Sequence, residues 1–600
     1  MMILKKKKKF VVNELFYFKR WYEGTNPNNH IKIKQLIREK RLEFVSGGYV
    51  VNDEATTSYI DIIDQIRLGQ QFLLEEFNII PKTEWYIDSF GHSAGNTHLM
   101  AQLNYENLVI GRMHVDYLEL FKKNNWTEFY WHPFGNLGSS KKIFTHILPL
   151  HYGFALFQKE LGDKNEDFCK SAKYYLFILL DHLKEAYKGL IHNNIMFLYG
   201  DDFAFKDNNI FLNIDCLMKE ANNLKDIKTQ KEIKERFNTT EKINFFYSTP
   251  EKYFNSIKKQ LIIENKNMQI FKSFTNFDFF PLKTDCFWTG FFTSRPYLKG
   301  YIRKASNIFY FMSKYFSMNT LTNQNRYSND TTLMANLFPN LNFFREMVSL
   351  TQHHDAITGT CKQYVAEDYI NNLRNIINEV EHNFKYDLEN KLDIKIGNIC
   401  YNNFLVEQKL CSSDYMISSG LNGNNKIKIG IINPMTTSIN STSNNLLINI
   451  EIFNSFTYYE VEGIKSDFFC VNENILKNEE YFKYRNKCFL NFFYEFKLEE
   501  PFVYINLIKY TKGKKSNKYN KLIDVKNEPK IELIKNYFNI RNLIFYPKNF
   551  EFYLEFFNEQ RKIKKINLLI MKECIMATLI IVKKVHINLV HIINTQKRLM

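Results

Sequence analysis

Six hundred residues exceed what one hydrophobic core organises, so the chain divides into about two to four domains. Apolar residues make up 45% and aromatic residues 16%, enough to bury true cores. The formal charge of +16 comes from lysines scattered among asparagine and isoleucine, with no basic patch and no known nucleic-acid module, which excludes nucleic acid as a partner.

At the start, the run from Lys5 to Lys9 reads as a short solvated stretch or, alternatively, a nuclear-targeting signal. Met1 to Phe10 lacks the apolar core of a signal peptide. From Phe10 to about Asn244, strand-like runs alternate with helical ones. Phe44 to Val51 reads as a strand around Gly47-Gly48, and Tyr59 to Asn78 as a helix with apolar residues at Tyr59, Ile63, Ile66, Leu73 and Phe77. Next comes Thr83-Glu84-Trp85-Tyr86-Ile87-Asp88-Ser89-Phe90-Gly91-His92-Ser93, an apolar strand ending in an acid, a tight turn and a helix start. Catalytic groups of parallel α/β folds sit at such carboxyl ends of strands, so Asp88 either does chemistry or caps the turn. Further strands are expected at Asn107 to Gly111, ending on Arg112, and at Thr145 to Leu150, Ile195 to Leu198 and Ile243 to Tyr247, with a helix over Glu251 to Leu261.

This alternation predicts an α/β fold, a mostly parallel β/α catalytic domain over 1–284. A helical bundle follows over 285–395, with period-3.6 patterns in Leu298 to Phe316, Phe343 to Gln352 and Val365 to Val380. A partial β-rich region, with the character of an incipient sandwich, fills 396–600. Its 435–446 and 511–530 stretches read as loops. The apolar run Ile566 to Val582 is broken by Lys572 and Glu573, so no membrane span is expected.

Nine cysteines contain no Cys-x-x-Cys pair, against a cysteine zinc site or redox motif, while Cys400 and Cys411 are placed for a local disulfide in a secreted chain.

Three further stretches share the grammar of Asp88. Gly200-Asp201-Asp202-Phe203 puts paired acids after a strand, where adjacent side chains point different ways, or else forms an Asx-capped turn. Trp288-Thr289-Gly290-Phe291-Phe292-Thr293-Ser294-Arg295-Pro296 offers rings for stacking sugar C–H faces or for anchoring a core. Gln352-His353-His354-Asp355-Ala356-Ile357-Thr358-Gly359-Thr360 sets two histidines beside an acid, a pattern for metal binding or catalysis.

Together, in this order, the four motifs resemble the signature set of the class II α-mannosidases, the family of the lysosomal and Golgi enzymes. Arg41-Leu42-Glu43-Phe44-Val45-Ser46-Gly47-Gly48-Tyr49, Asn52-Asp53-Glu54-Ala55 and, closer to the lysosomal branch, Val365-Ala366-Glu367-Asp368-Tyr369 add smaller matches. The resemblance runs from about Phe10 to about Phe384. It implies a seven-stranded-type β/α domain and a zinc-dependent retaining α-mannosidase that hydrolyses terminal α-mannose of N-glycan-type oligosaccharides or glycoproteins. Asp88 would be nucleophile and zinc ligand, and Asp202 the general acid/base, with Asp201 the alternative. His354 would be a zinc ligand, while Arg112, Trp288 and Asp355 would bind substrate. The chemistry fits, because a retaining glycosidase needs one ionised and one protonated carboxyl about 5–5.5 Å apart. Cationic neighbours and metal keep Asp88 ionised, and a drier site suits the proton on Asp202.

This chain departs from the family pattern at its start, where the His-x-Asp-x-Gly-Trp strand is absent. That leaves two of the family's four protein zinc ligands, Asp88 and His354, and an open sheet edge. The β region also stops early, and both ends read as cut. The alternative function is therefore an inactive relative that binds glycan or protein. A zinc-dependent deacetylase lacks the Trp288 and His354 motifs. The sequons at Asn125, Asn238, Asn329 and Asn440 accord with a lysosomal or other secretory location.

Overall fold

The computed structural model describes residues 8–135, 141–149, 152, 168–188, 190–200, 202, 209–240, 242–283, 286–322, 331–392 and seven strands between 426 and 523. Over these residues the chain forms two compact units, one comprising residues up to Arg295 with Glu346–Tyr369, the other Pro296–Arg345 with residues from Ile370 on.

In the first unit, β1 (Phe10–Val12) pairs in parallel with β2 (Leu42–Phe44). Five further strands, β3 (Thr83–Tyr86), β4 (Asn107–Ile110), β5 (Glu128–His132), β6 (Ile143–Ile147) and β7 (Ser273–Thr275), form one sheet in the order β3-β4-β6-β5-β7. Only the β5–β6 pairing is antiparallel, so the sheet is mostly parallel, as expected. The Ser46 N–H donates to Thr83 O at 2.8 Å, which brings the β2 edge against β3. Side chains alternate between two apolar layers: Tyr86, Leu108 and Ile110 face one cluster with Ile62, Ile66 and Met100, while Trp85 and Val109 face another with Phe254 and Ile257. A sheet buried on both faces favours apolar residues, which β4 supplies in Leu108-Val109-Ile110 and β3 in Trp85-Tyr86, with Glu84 a buried acid beside them. Each such large apolar side chain contributes roughly 1.5–3 kcal/mol.

The helix Tyr59–Phe77 ends on Asn78, whose left-handed conformation (φ 56°) caps it. Within it, a Cβ on Gly69 would stand 2.2 Å from Gly47 O, so only glycine allows the helix to lie on the turn after β2.

Three expected strands differ. The strand expected over Phe44 to Val51 stops at Phe44, because Ser46 (φ 54°) and Gly47 (φ 75°) turn the chain out of the extended region. The stretches Ile195 to Leu198 and Ile243 to Tyr247 join no ladder. Side chains take up their backbone groups instead: Tyr187 OH donates to Met196 O, and the Asn222 amide exchanges bonds of 2.8 and 3.1 Å with Phe245. The helix Pro250–Ile263 forms as expected.

The second unit contains Pro296–Thr322 and most of Gln363–Leu392, both helical as expected. Ile302, Ala305, Ile308, Phe309, Met312 and Phe316 are buried at helical spacing, and Phe311 meets Phe384 with ring centroids 5.3 Å apart. Phe502–Tyr510 lies antiparallel between Lys426–Ile432 and Tyr458–Val461, and Lys487–Tyr494 antiparallel between Leu446–Ile452 and Ser466–Val471, while Leu522–Ile523 runs parallel to Ser466–Val471. Among the described residues no helix is long and apolar enough to cross a membrane. A disulfide joins Cys169 and Cys216 in the first unit; the pair considered earlier, Cys400 and Cys411, lies outside the described residues.

Candidate active site

The parallel register of β3 and β4 aligns Tyr86 with Ile110, so the chain leaves both strands side by side. Two residues on, Asp88 and Arg112 meet. The Arg112 Nε donates to Asp88 Oδ1 at 2.6 Å and to Asp88 O at 3.1 Å, with Nη2 closing on Oδ1 as well. Gly111 makes this approach possible, since a Cβ there would lie 2.1 Å from Ile87 O. Beyond Asp88, the turn is clamped by Glu54, which accepts from Ser93 N and contacts His92 Nδ1, both at 2.8 Å. The Ser93 hydroxyl then caps the helix Ala94–Gln102 by accepting from Asn96 N at 3.0 Å.

The segment Gln352–Asp355 folds onto the same turn. Asp53 N donates to Gln352 O at 3.0 Å, and Asn52 bridges to His353. This sets His354 Nε2 3.2 Å from Asp88 Oδ2, while His354 Nδ1 donates to Val51 O at 2.9 Å. Burial works to raise the Asp88 pKa, but the His354 bond and charge and the Arg112 guanidinium overcome it and hold the carboxyl at about 2. Burial in turn lowers the His354 pKa, yet Asp88, Glu14 and Asp355 outweigh it and lift the imidazole to about 9.

Aromatic rings close one side. The Arg112 guanidinium lies 5.0 Å from the Trp288 ring centre and 5.7 Å from that of Phe90. Phe90 meets His354 edge-on at 5.9 Å. Asp355 Oδ1 accepts from the Thr360 hydroxyl at 2.6 Å.

Asp202 is exposed, not in the drier surroundings expected for it, because it sits on a turn after Gly200 and not at the end of a strand. Asp201 lies outside the described residues. The hydroxyl of Tyr152 donates to Asp202 Oδ1 at 3.3 Å. It also faces Asp88, and burial together with the Asp88 and Asp202 charges raises its pKa, keeping it a hydrogen donor. The structure thus brings together Asp88, Arg112, Trp288, His354 and Asp355, with Asp202 linked through Tyr152.

Among the described residues, two groups of side chains are close enough to hold a cation: Asp88, His354 and Asp355, and Glu14, His353 and His354, each with ligand atoms within 4.8 Å of one another. A test of fit favours the first. His354 spends Nδ1–H on a carbonyl, which leaves Nε2 directed at Asp88 Oδ2. One imidazole nitrogen and two carboxylates form an N/O set suited to zinc.

Three of these residues escaped the sequence reading: Tyr152, Glu14 and His353 as a partner of Glu14. Tyr152 stands in no motif. Glu14 stands two residues beyond β1, as Asp88 stands two beyond β3, and that was its available signal.

Residues 1–281 match the Glycosyl hydrolases family 38 N-terminal domain, and residues 286–389 the Alpha mannosidase middle domain. The chain is 32% identical over 380 residues to the lysosomal alpha-mannosidase of Dictyostelium discoideum, covering 61% of this chain and 34% of that protein. It is 30% identical over 382 residues to the lysosomal alpha-mannosidase of Bos taurus, covering 61% and 35%. It therefore spans about a third of the length of these curated relatives. An alpha-mannosidase from Enterococcus faecalis V583 shares the fold, with a TM-score of 0.50 at 11% identity over 85% of this chain and 52% of that one.

Proposed function

Because the chain belongs, across residues 1–281 and 286–389, to the glycosyl hydrolases of family 38, we propose that it is a zinc-dependent retaining α-mannosidase. Its substrates are terminal α-mannose residues of N-glycan-type oligosaccharides or glycoproteins. The division into 1–284, 285–395 and 396–600 is part of the same reading.

The observation that carries it is a pair of carboxylates, Asp88 and Asp202, about the one phenol of Tyr152. Asp88 is held ionised by Arg112 and His354, as a nucleophile must be. Asp202, joined to the same site through the Tyr152 hydroxyl, is the group assigned as general acid/base. The retaining reading requires these two carboxyl groups about 5–5.5 Å apart.

In the first step an Asp88 oxygen bonds to the anomeric carbon as the glycosidic C–O bond breaks, and Asp202 gives its proton to the departing oxygen. In the second, Asp202 takes a proton from water as the water oxygen bonds to that carbon and the glycosyl–Asp88 ester breaks. Trp288 offers the sugar an apolar face, and Asp355 accepts from its hydroxyls. Asp88, His354 and Asp355 would hold zinc, which when bound supplies Lewis-acid polarisation of the substrate oxygens.

A lysosomal or other secretory location is supported by the Cys169–Cys216 disulfide and by the exposed sequon asparagines Asn125 and Asn238.

The test is turnover of an aryl α-mannoside by the purified chain, zinc-loaded and chelator-stripped, beside Asp88→Asn. Zinc-dependent turnover that the substitution abolishes is expected. Full activity in Asp88→Asn overturns the nucleophile assignment, and an inactive zinc-loaded wild type turns the reading to a non-catalytic glycan-binding relative.

A further inference from the structure

Glu14 occupies the N-cap of the helix Leu15–Glu23, yet its side chain makes no capping bond there. A helix start ordinarily uses its N-cap side chain for the exposed N–H groups. Here Glu14 turns the other way. Its Oε1 accepts from Val51 N at 2.9 Å and from His353 Nε2 at 3.1 Å.

The direction of each bond follows from the partners. Val51 O can only accept, so His354 Nδ1 carries the proton and Nε2 is the nitrogen facing Asp88. Asp355 N can only donate, to His353 Nδ1 at 3.1 Å, so the His353 proton sits on Nε2 and goes to Glu14. Both nitrogens of His353 are therefore committed, which removes the Glu14, His353 and His354 group as a second cation seat. Glu14 instead grips the N–H of Val51, and the carbonyl of Val51 orients the His354 ring by accepting from its Nδ1–H.

Resting on the metal reading proposed above, we infer that Glu14 is the positioning residue of the metal-ligating His354, acting through the Val51 backbone and the His353 ring. His353 and His354 lie 4.1 Å apart ring to ring, so anchoring the first also limits tilt of the second. A histidine ligand is oriented by the group that accepts from its other nitrogen. Here that acceptor is the carbonyl of Val51, a residue whose N–H is held by the Glu14 carboxylate.

The test uses the full chain with Glu14→Leu, similar in size but unable to accept, and Glu14→Gln, which keeps an acceptor oxygen. Co²⁺ affinity and the visible spectrum of the bound ion are read beside the Nδ1–H signal of His354 in metal-free, ¹⁵N-histidine-labelled protein, which reports its hydrogen bond to the Val51 carbonyl. Glu14→Leu should weaken Co²⁺ binding about 10–100-fold, alter the spectrum and lose the hydrogen-bonded Nδ1–H signal. Glu14→Gln should stay within about fivefold of wild type and keep that signal. Equal affinities and signals in wild type and Glu14→Leu overturn the inference, as do equal losses in both variants. If Glu14→Leu does not fold, Glu14→Gln decides: retained signal and affinity support the inference, and a loss beyond about tenfold overturns it. If wild type takes up no Co²⁺, the metal reading fails separately, and the Nδ1–H signal of His354 in the two variants still decides the role of Glu14.

Discussion

Asp88 Oδ2 lies 3.2 Å from His354 Nε2, a contact between side chains 266 positions apart, while Arg112 grips the other carboxylate oxygen. One carboxylate so placed is held on both oxygens, and Oδ2 keeps a further lone pair for attack. Asp88→Asn should lower turnover of an aryl α-mannoside at least roughly a thousandfold, with an unchanged circular dichroism spectrum. Arg112→Lys, which loses the planar fork, should cost a smaller factor, roughly 10–100-fold, in the same assay.

Tyr152 donates to Asp202 and faces Asp88, so Tyr152→Phe removes a proton donor from between two acids. A donated hydrogen bond favours the ionised carboxylate, and its loss raises the pKa. The acidic limb of the kcat/KM profile should therefore move to higher pH, with kcat down roughly tenfold and KM little changed. A profile that overlays wild type would remove Tyr152 from the site.

Two buried glutamates bracket the stability of the first unit. Burial raises Glu128, but His146 and His192 overcome it and hold it at about 2, below its usual 4.5. Its contribution is complete above about 4.5 and lost as the pH falls toward 2. Burial carries Glu84, on β3, up to about 8. Between about 4.5 and 8 the folded chain keeps that proton and the unfolded chain does not, so stability falls as the pH rises through this window. Urea midpoints should peak at mildly acidic pH, each limb spanning on the order of a few kcal/mol. Glu84→Gln should flatten the alkaline limb and Glu128→Gln the acid limb; a peak above pH ~8 would contradict the assignment.

The Cys169–Cys216 link closes a span of 47 residues. Chain-entropy arguments assign such a loop about 4 kcal/mol. Cys169→Ser with Cys216→Ser should lower the unfolding free energy by up to that amount, and reductant should shift wild type but not the double variant. Reductant that leaves wild-type unfolding unchanged would argue against the bond.

The strand ends that carry Asp88 and Arg112 were legible because the apolar runs Trp85-Tyr86-Ile87 and Leu108-Val109-Ile110 break off sharply before polar residues. The His354 segment was legible from adjacent donors beside a Thr-Gly-Thr turn. Ile195 to Leu198 and Ile243 to Tyr247 have strand-like composition, yet composition records only fitness for a pleated, half-buried surface and says nothing of whether a partner edge is present. In the folded chain Asn222 and Tyr187 supply the hydrogen bonds that a neighbour would have given. Glu14 and Tyr152 act through single contacts across the fold, which leave no periodic trace. The Cys169–Cys216 pairing is likewise set by helix packing and not by spacing.

The return of Glu346–Tyr369 to the first unit has a consequence for synthesis. At about 5–20 residues per second, His354 leaves the ribosome roughly ten to fifty seconds after Asp88. During that interval β3 and β4 can already pair and Arg112 can already hold Asp88, so the nascent chain passes through a stage with a guarded carboxylate and no imidazole. A ribosome that stalls within the intervening helices releases a product with its sheet in place and its centre half built. Completion of the site thereby reports that translation has passed Tyr369.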